Sequence, residues 1–493
     1  MDTLRAEVEA YVQNQLENSN SSDVRASKVI HDTVLGTNVF EPYEVALLDL
    51  PIVQRLRRIS QVDVVSLVFP SGNHNRFEHS LGVTVIAGKM AEALRLKLNL
   101  SPDEAQHFIK HVRIAAILHD VGHGPFSHIS EHIYRHYDSL KELKKKEKVL
   151  AGANAHEILS YLIVTSSAFK EFFQKKLSLK YDVSMVDLDL VGQMIVGYVA
   201  DPKKAYYVDV INGAFDADKL DYIQRDSHFT GIRMALDIDR IFHTIDTIFV
   251  NDKQRLTLDI SGVSALEEIV FNKMILFSTV YHHHKVRAAE CLFRSIFDQI
   301  RLEKKSIYGL NFDSSADFLY LTDDSIFSLA RQGLGKISEL ASYIVNRNLP
   351  KRAMVLSTRT IESGRENLQR LMSSCSNPEG IRNLREAISE ATQSMGDRVE
   401  PEEIWVDLPE GPKFKEAIEC PIKSVGEENG YTLLRSVFPV DDWSKAFSEN
   451  KWRGYVFSRP EKREIVHRAT KQVLKEAFDI RTNKFSLILC KME

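Results

Sequence analysis

From Ser27 to about Ile307 the apolar residues fall three or four positions apart, the spacing that lays one hydrophobic stripe along an α-helix. Val83, Ile86, Met90 and Leu94 mark one stripe; Phe108, Val112, Ala115 and Leu118 mark another. Ahead of them, a short N-terminal helix is expected to stop at the polar run NSNSS (18–22). Alternating text is scarce in this stretch, with VVSLVF (64–69) and RLTLDI (255–260) as its strand candidates. Beyond Tyr308 the character changes. NFDSS, SSCSNPEG and LPEGPK cut the chain into shorter segments, among them the strand candidates EEIWVDL (402–408) and FSLILC (485–490). No internal repeat is visible. The expected class is mostly α: an N-terminal extension (1–26), a helical core (27–307) and a smaller α+β C-terminal lobe (308–493).

Composition narrows the partners. A formal charge of −4 over 493 residues gives no general affinity for nucleic acid, so any phosphate site must be a local concentration of cations. The stretch LKELKKKEK (140–148) is the one marked basic run; a solvated helix face is its plain reading, and accessory RNA or DNA contact the alternative. Cys291, Cys375, Cys420 and Cys490 form no CxxC pair, which argues against thiolate zinc and for a reducing compartment. The N-terminus lacks the apolar core of a signal peptide, and no apolar run reaches the roughly 20 residues of a membrane span. A cytoplasmic location is expected, with nuclear placement left open.

Three segments carry candidate chemistry: RFEHSLGV (76–83), LHDVGHGPFSH (118–128) and DADKLDYIQRD (216–226). In the middle one, His119 and Asp120 fall at the last turn of a helix that Gly122, Gly124 and Pro125 then break. Neighbouring helical side chains diverge by about 100°, but at such an end both can turn toward one ion. His79 opens a helix upstream and Asp218 opens another downstream. Two imidazoles and two carboxylates form a mixed nitrogen–oxygen set suited to iron, manganese, zinc or magnesium. In the third segment Asp218, Tyr222 and Asp226 share one helical face; the plainer alternative is a charged surface helix with i,i+4 pairs such as Asp221–Arg225.

These segments resemble the HD-domain superfamily, whose name comes from the His-Asp pair. More narrowly, HNRFEHSLGV, LHDVGHGPFSH and DADKLDYIQRD look like the deoxynucleoside triphosphate triphosphohydrolases of the sterile-alpha-motif and HD-domain type. Too few residues precede the core for a sterile-alpha-motif domain, which points to the shorter, microbial type. The resemblance implies His79, His119, Asp120 and Asp218 as metal ligands, with magnesium or manganese accompanying the nucleotide. It implies His123 as a donor to phosphate oxygens and His128 as general acid, in a relay His128–Glu131–His156; the family carries Asp where Glu131 stands. It implies Lys219 and Tyr222 on the phosphates, Asp226 and Gln61 on the sugar, and Arg76 on the nucleotide. Val62 stands where a larger Leu packs against the sugar's 2′ position; His282 and His283 replace a Tyr and a Gln, and Met274, beside Lys273, replaces an arginine that grips the terminal phosphate.

An effector site is also implied. SKVIHDTVLG and LLDLPIVQRLRRISQ resemble the segments that bind a guanine-nucleotide activator, through Lys28, Val29, Asp49, Gln54 and Arg57. Arg240, Arg347 and Lys351 match a neighbouring second nucleotide pocket, so GTP or a dNTP is the expected effector of a homodimer or homotetramer. The expected reaction converts a dNTP to deoxynucleoside and inorganic triphosphate. Rival readings are an HD phosphohydrolase or phosphodiesterase of another nucleotide (a ribonucleotide, a cyclic dinucleotide, ppGpp) and a non-catalytic nucleotide sensor.

Overall fold

A computed structural model describes residues 3–17, 24–362, 365–409, 418–424, 426–427 and 429–492. Helices take up 62% of the chain and the strands sit in small sheets, so the class is mostly α, with α+β content toward the C-terminus. By contacts the chain forms two compact units: one of residues 1–273, 303–326 and 414–440, the other of 274–302, 327–413 and 441–493.

The first unit begins with α1 (Thr3–Glu17) and a hairpin of β1 (Lys28–Asp32) and β2 (Gly36–Phe40), in which Val29 faces Val39. The expected stop at NSNSS lies outside the described residues. Its two central helices are α2 (Arg76–Leu98) and α3 (Pro102–Leu118). Local chemistry fixes their ends. Asn75 accepts from the Glu78 N–H to start α2, and Ser101 forms a capping box with Glu104, with Pro102 as the first residue of α3. The two expected stripes are buried: Val83, Ile86, Met90 and Leu94 on α2, and Phe108, Val112, Ala115 and Leu118 on α3. Further along come α4 (His128–Tyr134), α5 (Asp138–Lys146), α6 (Ala155–Thr165) and α7 (Ala217–Thr230). The basic run falls on α5, which buries Leu140 and Leu143 and exposes Lys141, Lys145 and Lys146. A four-stranded sheet pairs β3 (Ile245–Val250), β4 (Lys253–Asp259) and the short strands Pro421–Lys423 and Tyr431–Leu433, in that order.

The second unit holds α8 (His284–Glu303) and an antiparallel sheet in which β7 (Gly454–Ser458) lies between β5 (Lys351–Leu356) and β6 (Ile404–Asp407). Ala353, Met354, Val406 and Val456 of this sheet pack with Leu384 and Ile388 of α9 (Pro378–Ser394) and Val466 and Ala469 of α10 (Arg463–Phe478).

Of the four strand candidates, RLTLDI falls on β4 and EEIWVDL on β6. The other two are corrected. VVSLVF forms turns and a single 3-10 turn, Val65–Leu67, in which Val64 and Val65 are buried, and among the described residues no strand pairs with it. FSLILC is a helix, α11 (Lys484–Cys490): Asn483 caps it by accepting from the Phe485 N–H, and Ser486 and Cys490 share its buried side at i,i+4. Ser486 also exchanges hydrogen bonds with the Val355 backbone of β5. Among the described residues no helix is long and apolar enough to cross a membrane.

Candidate metal centre

Three helix ends deliver the side chains. His79 sits in the first turn of α2, His119 caps the C-terminus of α3 with Asp120 following, and Asp218 lies in the first turn of α7. Gly122 permits the turn after Asp120, since a Cβ there would collide with the His156 carbonyl and the Ser160 backbone. Three segments far apart in the chain thereby bring four side chains together. His79 Nε2 lies 2.9 Å from Asp218 Oδ1 and 3.7 Å from Asp120 Oδ2. His119 Nε2 lies 3.4 Å from Asp120 Oδ1 and 3.9 Å from Asp218 Oδ1.

The donor set fits a divalent cation. Potential ligand atoms of His79, His119 and Asp120 lie within 4.8 Å of one another. His119 Nδ1 donates to the Ala116 carbonyl at 2.7 Å, while its buried Nε2 has no hydrogen-bond partner and faces the carboxylates. His79 Nδ1 donates to Asp221 Oδ2 at 2.7 Å, which turns Nε2 toward the same point. Burial disfavours a charged His79, but hydrogen bonds to Asp218 and Asp221 outweigh it and push its pKa up to about 10. Burial likewise opposes the charge on Asp120, yet Arg76, His119 and His123 hold it well below the usual carboxylate range. Both carboxylates therefore stay ionised, balanced by Arg76 and by a proton on His79, and a bound cation would take the place of that proton.

A second group adjoins it, with ligand atoms of Asp120, His123 and His156 also within 4.8 Å. His123 stacks on His156 at 3.9 Å between ring centres, and neither of its buried ring nitrogens has a hydrogen-bond partner. Burial, then the Arg76 and His156 charges, keep its pKa well below that of free imidazole. Glu131 stands between two histidines, with Oε2 3.3 Å from His128 Nδ1 and Oε1 2.8 Å from His156 Nδ1. Against burial, Glu131 raises His156 to about 9 and raises His128 as well. His128 is exposed, so its ring opens to solvent while its backbone N–H is held by Asp63.

Other expected contacts are distributed more variously. Arg76 is bound inward, to Asp120 Oδ2 at 2.5 Å and to Ser127 Oγ at 2.7 Å, with Nη2 buried and unpartnered. Lys219 donates to the Gly213 carbonyl and to Asp216. Asp226 is bonded to a buried histidine, His74, at 2.8 Å. Gln61 and Val62 are buried, with Gln61 Oε1 lacking a partner; Tyr222 is half-buried on α7. Of the effector residues, Lys28 pairs with Asp49 at 3.6 Å, Arg57 donates to Gln54 and lies over the Phe77 ring, and Val29 is exposed. Arg240 donates to the Ser261 carbonyl in the first unit, whereas Arg347 and Lys351 belong to the second. Met274 is buried in the second unit.

Several contributors escape the sequence. His74 supports Asp226, stacked on Phe229 at 4.6 Å. Asp221 and Arg225, an i,i+4 pair that the plainer alternative placed on a surface helix, are fully buried behind His79. Asp323 accepts from the Ser60 backbone and hydroxyl and from the Phe126 N–H, holding a loop in which Phe126 and Ser127 both have positive φ (52° and 46°). Burial raises the Asp323 pKa to about 6. The i,i+4 spacing flagged Asp221 and Arg225; nothing local flagged Asp323, whose partners are distant in sequence.

The family model described as HD domain matches residues 76–223, and the one described as HD associated region matches 236–484. An uncharacterized protein of Methanocaldococcus jannaschii is 30% identical over 333 residues, 67% of this chain and 60% of that protein. The deoxynucleoside triphosphate triphosphohydrolase SAMHD1 homolog of Dictyostelium discoideum is 28% identical over 69% of this chain and 62% of its own length. Human SAMHD1, which bears the same enzyme name, is 27% identical over 66% of this chain and 55% of its own. The chain thus spans 55–62% of the length of these curated relatives. A crystal structure of a hypothetical protein from Aquifex aeolicus shares the fold, with a TM-score of 0.63 at 22% identity over 90% of this chain and all of that one.

Proposed function

This chain belongs to the HD-domain family, with an HD associated region behind the HD domain, and from that premise we propose that it hydrolyses deoxynucleoside triphosphates to deoxynucleoside and inorganic triphosphate. The observation that carries the reading is the cluster of buried His79, His119 and Asp120 with half-buried Asp218, and with His119 Nε2 aimed into it unpartnered. These four residues would hold a divalent ion, iron, manganese, zinc or magnesium, with magnesium or manganese arriving on the nucleotide. Such an ion supplies Lewis acidity and lowers the pKa of a bound water toward about 7.

The chain's own residues do the rest. His123, buried and neutral, donates a hydrogen bond to a phosphate oxygen without adding a competing charge. His128 gives its proton to the departing nucleoside oxygen as the bond to the α-phosphorus breaks, and Glu131, tied also to His156, keeps that proton on a ring of raised basicity. Arg76 Nη2 and Gln61 Oε1, both buried and unpartnered, suit the nucleotide and its sugar. Tyr222 and Lys219 serve the phosphates, and Asp226, held by His74, accepts from the 3′-hydroxyl. Lys28, Val29, Asp49, Gln54 and Arg57 form a nucleotide effector site, with Arg240, Arg347 and Lys351 serving a second nucleotide, in a dimer or tetramer.

The test is product analysis. Purified protein is incubated with Mn²⁺ or Mg²⁺ and dATP, dGTP, dCTP, dTTP, GTP or ppGpp, singly and in mixtures. Inorganic triphosphate beside deoxynucleoside is expected, with turnover rising in mixtures that contain GTP. Monophosphate or diphosphate products would move the protein to another HD phosphohydrolase class, and binding without turnover would make it a sensor.

A further inference from the structure

We infer that Asp32, at the end of the β1–β2 hairpin's first strand, positions the metal ligand His79 through two buried side chains, Arg225 and Asp221. The inference rests on the proposed metal centre and concerns residues outside its donor set.

The connection is continuous. Arg225 Nη1 donates to Asp32 Oδ2 at 2.8 Å; Arg225 Nε and Nη2 donate to Asp221 Oδ2 and Oδ1 at 2.8 and 2.9 Å; His79 Nδ1 donates to the same Asp221 Oδ2 at 2.7 Å. The side chains of His79, Asp221 and Arg225 are 0% exposed and that of Asp32 is 9% exposed, so water does not screen the chain of charges. Asp221 alone would fix which His79 nitrogen faces the metal. Asp221 is in turn gripped along one edge of the Arg225 guanidinium, and among the described residues Asp32 alone holds the other edge. A planar fork held on both edges has one orientation; held on one edge it can swing and take Asp221 with it. Helix α2 leaves room for the pair at Gly82, where a Cβ would run into both the Asp221 carboxylate and the Arg225 guanidinium.

Asp32 also shapes the hairpin. Its Oδ1 accepts from the Val34 and Leu35 N–H groups, both at 2.8 Å, so one carboxylate sets the turn with one oxygen and the guanidinium with the other. The same strand carries Lys28 and Val29. Whatever settles the hairpin therefore settles the ligand.

The experiment uses the full chain stripped of metal and titrated calorimetrically with Mn²⁺, with melting temperatures recorded alongside. Asp32→Asn keeps the Oδ1 acceptor for the turn and replaces the Oδ2 acceptor facing Arg225. It is expected to weaken Mn²⁺ binding by about 3- to 10-fold, less than the roughly 10- to 100-fold of a direct outer partner of a metal ligand, since Asp32 acts through two side chains. Arg225→Lys, which keeps the charge and loses the fork, should weaken it at least as much, and answers the question if Asp32→Asn does not fold. Thr37→Ala removes a hydrogen bond to His31 on the same hairpin and should leave affinity within about twofold of wild type. Wild-type affinity in Asp32→Asn, or equal losses in Asp32→Asn and Thr37→Ala, overturns the inference. Undiminished Mn²⁺ binding by His79→Ala would instead remove the metal centre itself, whatever Asp32→Asn does.

Discussion

Each unit buries a cluster of opposite charges, and the two clusters differ in what is left over. In the second unit Asp407 accepts from Arg287 at 2.8 and 2.7 Å and from Arg294 at 2.8 Å, and Arg287 also pairs with Glu290. Burial opposes the Asp407 charge, but the two guanidiniums hold its pKa far below the usual range, and none of these four side chains has an unpartnered buried atom. In the first unit His119 Nε2, both ring nitrogens of His123 and Arg76 Nη2 are buried without hydrogen-bond partners. A satisfied network fixes a fold; buried polar atoms left unsatisfied cost free energy and point to a missing ligand. The difference separates architecture from chemistry among residues of the same types.

That contrast can be broken in both directions. The largest effect is expected from Asp218→Ala, which should cut turnover by roughly 1,000-fold or more, some 4 kcal/mol of barrier, and lower metal content measured by mass spectrometry. Wild-type turnover in this variant would take Asp218 out of the centre. Asp407→Ala should do the reverse: lose about 3–5 kcal/mol of stability in chemical denaturation by stranding two buried guanidiniums, with metal content per folded molecule unchanged. Glu131→Gln should lower kcat by about 10- to 100-fold and leave KM and melting temperature near wild type, since it acts through His128 and His156. An equal loss of stability would assign Glu131 to the architecture instead.

The smallest effect concerns a histidine with a complete set of partners. His111 donates from Nδ1 to the His107 carbonyl and accepts at Nε2 from the Asp187 N–H, so protonating it breaks a bond. Burial, then the neighbouring His107, push its pKa down to about 4 from 6.5. The unfolded chain therefore takes up the proton first as pH falls, and stability declines below about pH 6.5 until the folded pKa is reached. About 2 kcal/mol should be lost between pH 8 and pH 5, and His111→Gln should flatten that slope in denaturant titrations.

What the sequence disclosed follows from range. Caps, helical stripes and the three short segments are local, so the four donors, α2, α3 and the start of α7 were legible from spacing and resemblance. Pairings that cross the chain were not: Asp32 meets Arg225 across 193 positions, and Asp323 meets Phe126 across 197. FSLILC misled because a short apolar run suits a helix and a strand equally, and only the docking of Ser486 onto β5 decides. Arg76 and Lys219 were assigned to a ligand through the resemblance, and the folded chain gives each an internal anion that nothing local announces.

The loop between His123 and His128 is bent into an uncommon backbone shape by two consecutive residues, and the carboxylate that receives the Phe126 N–H arrives late in the sequence, at Asp323. During synthesis, then, a ribosome extrudes both histidines long before it supplies their brace. The growing chain can build its early helices yet must wait for the segment around Asp323 before this loop gains its brace, by which time well over half the polypeptide has emerged.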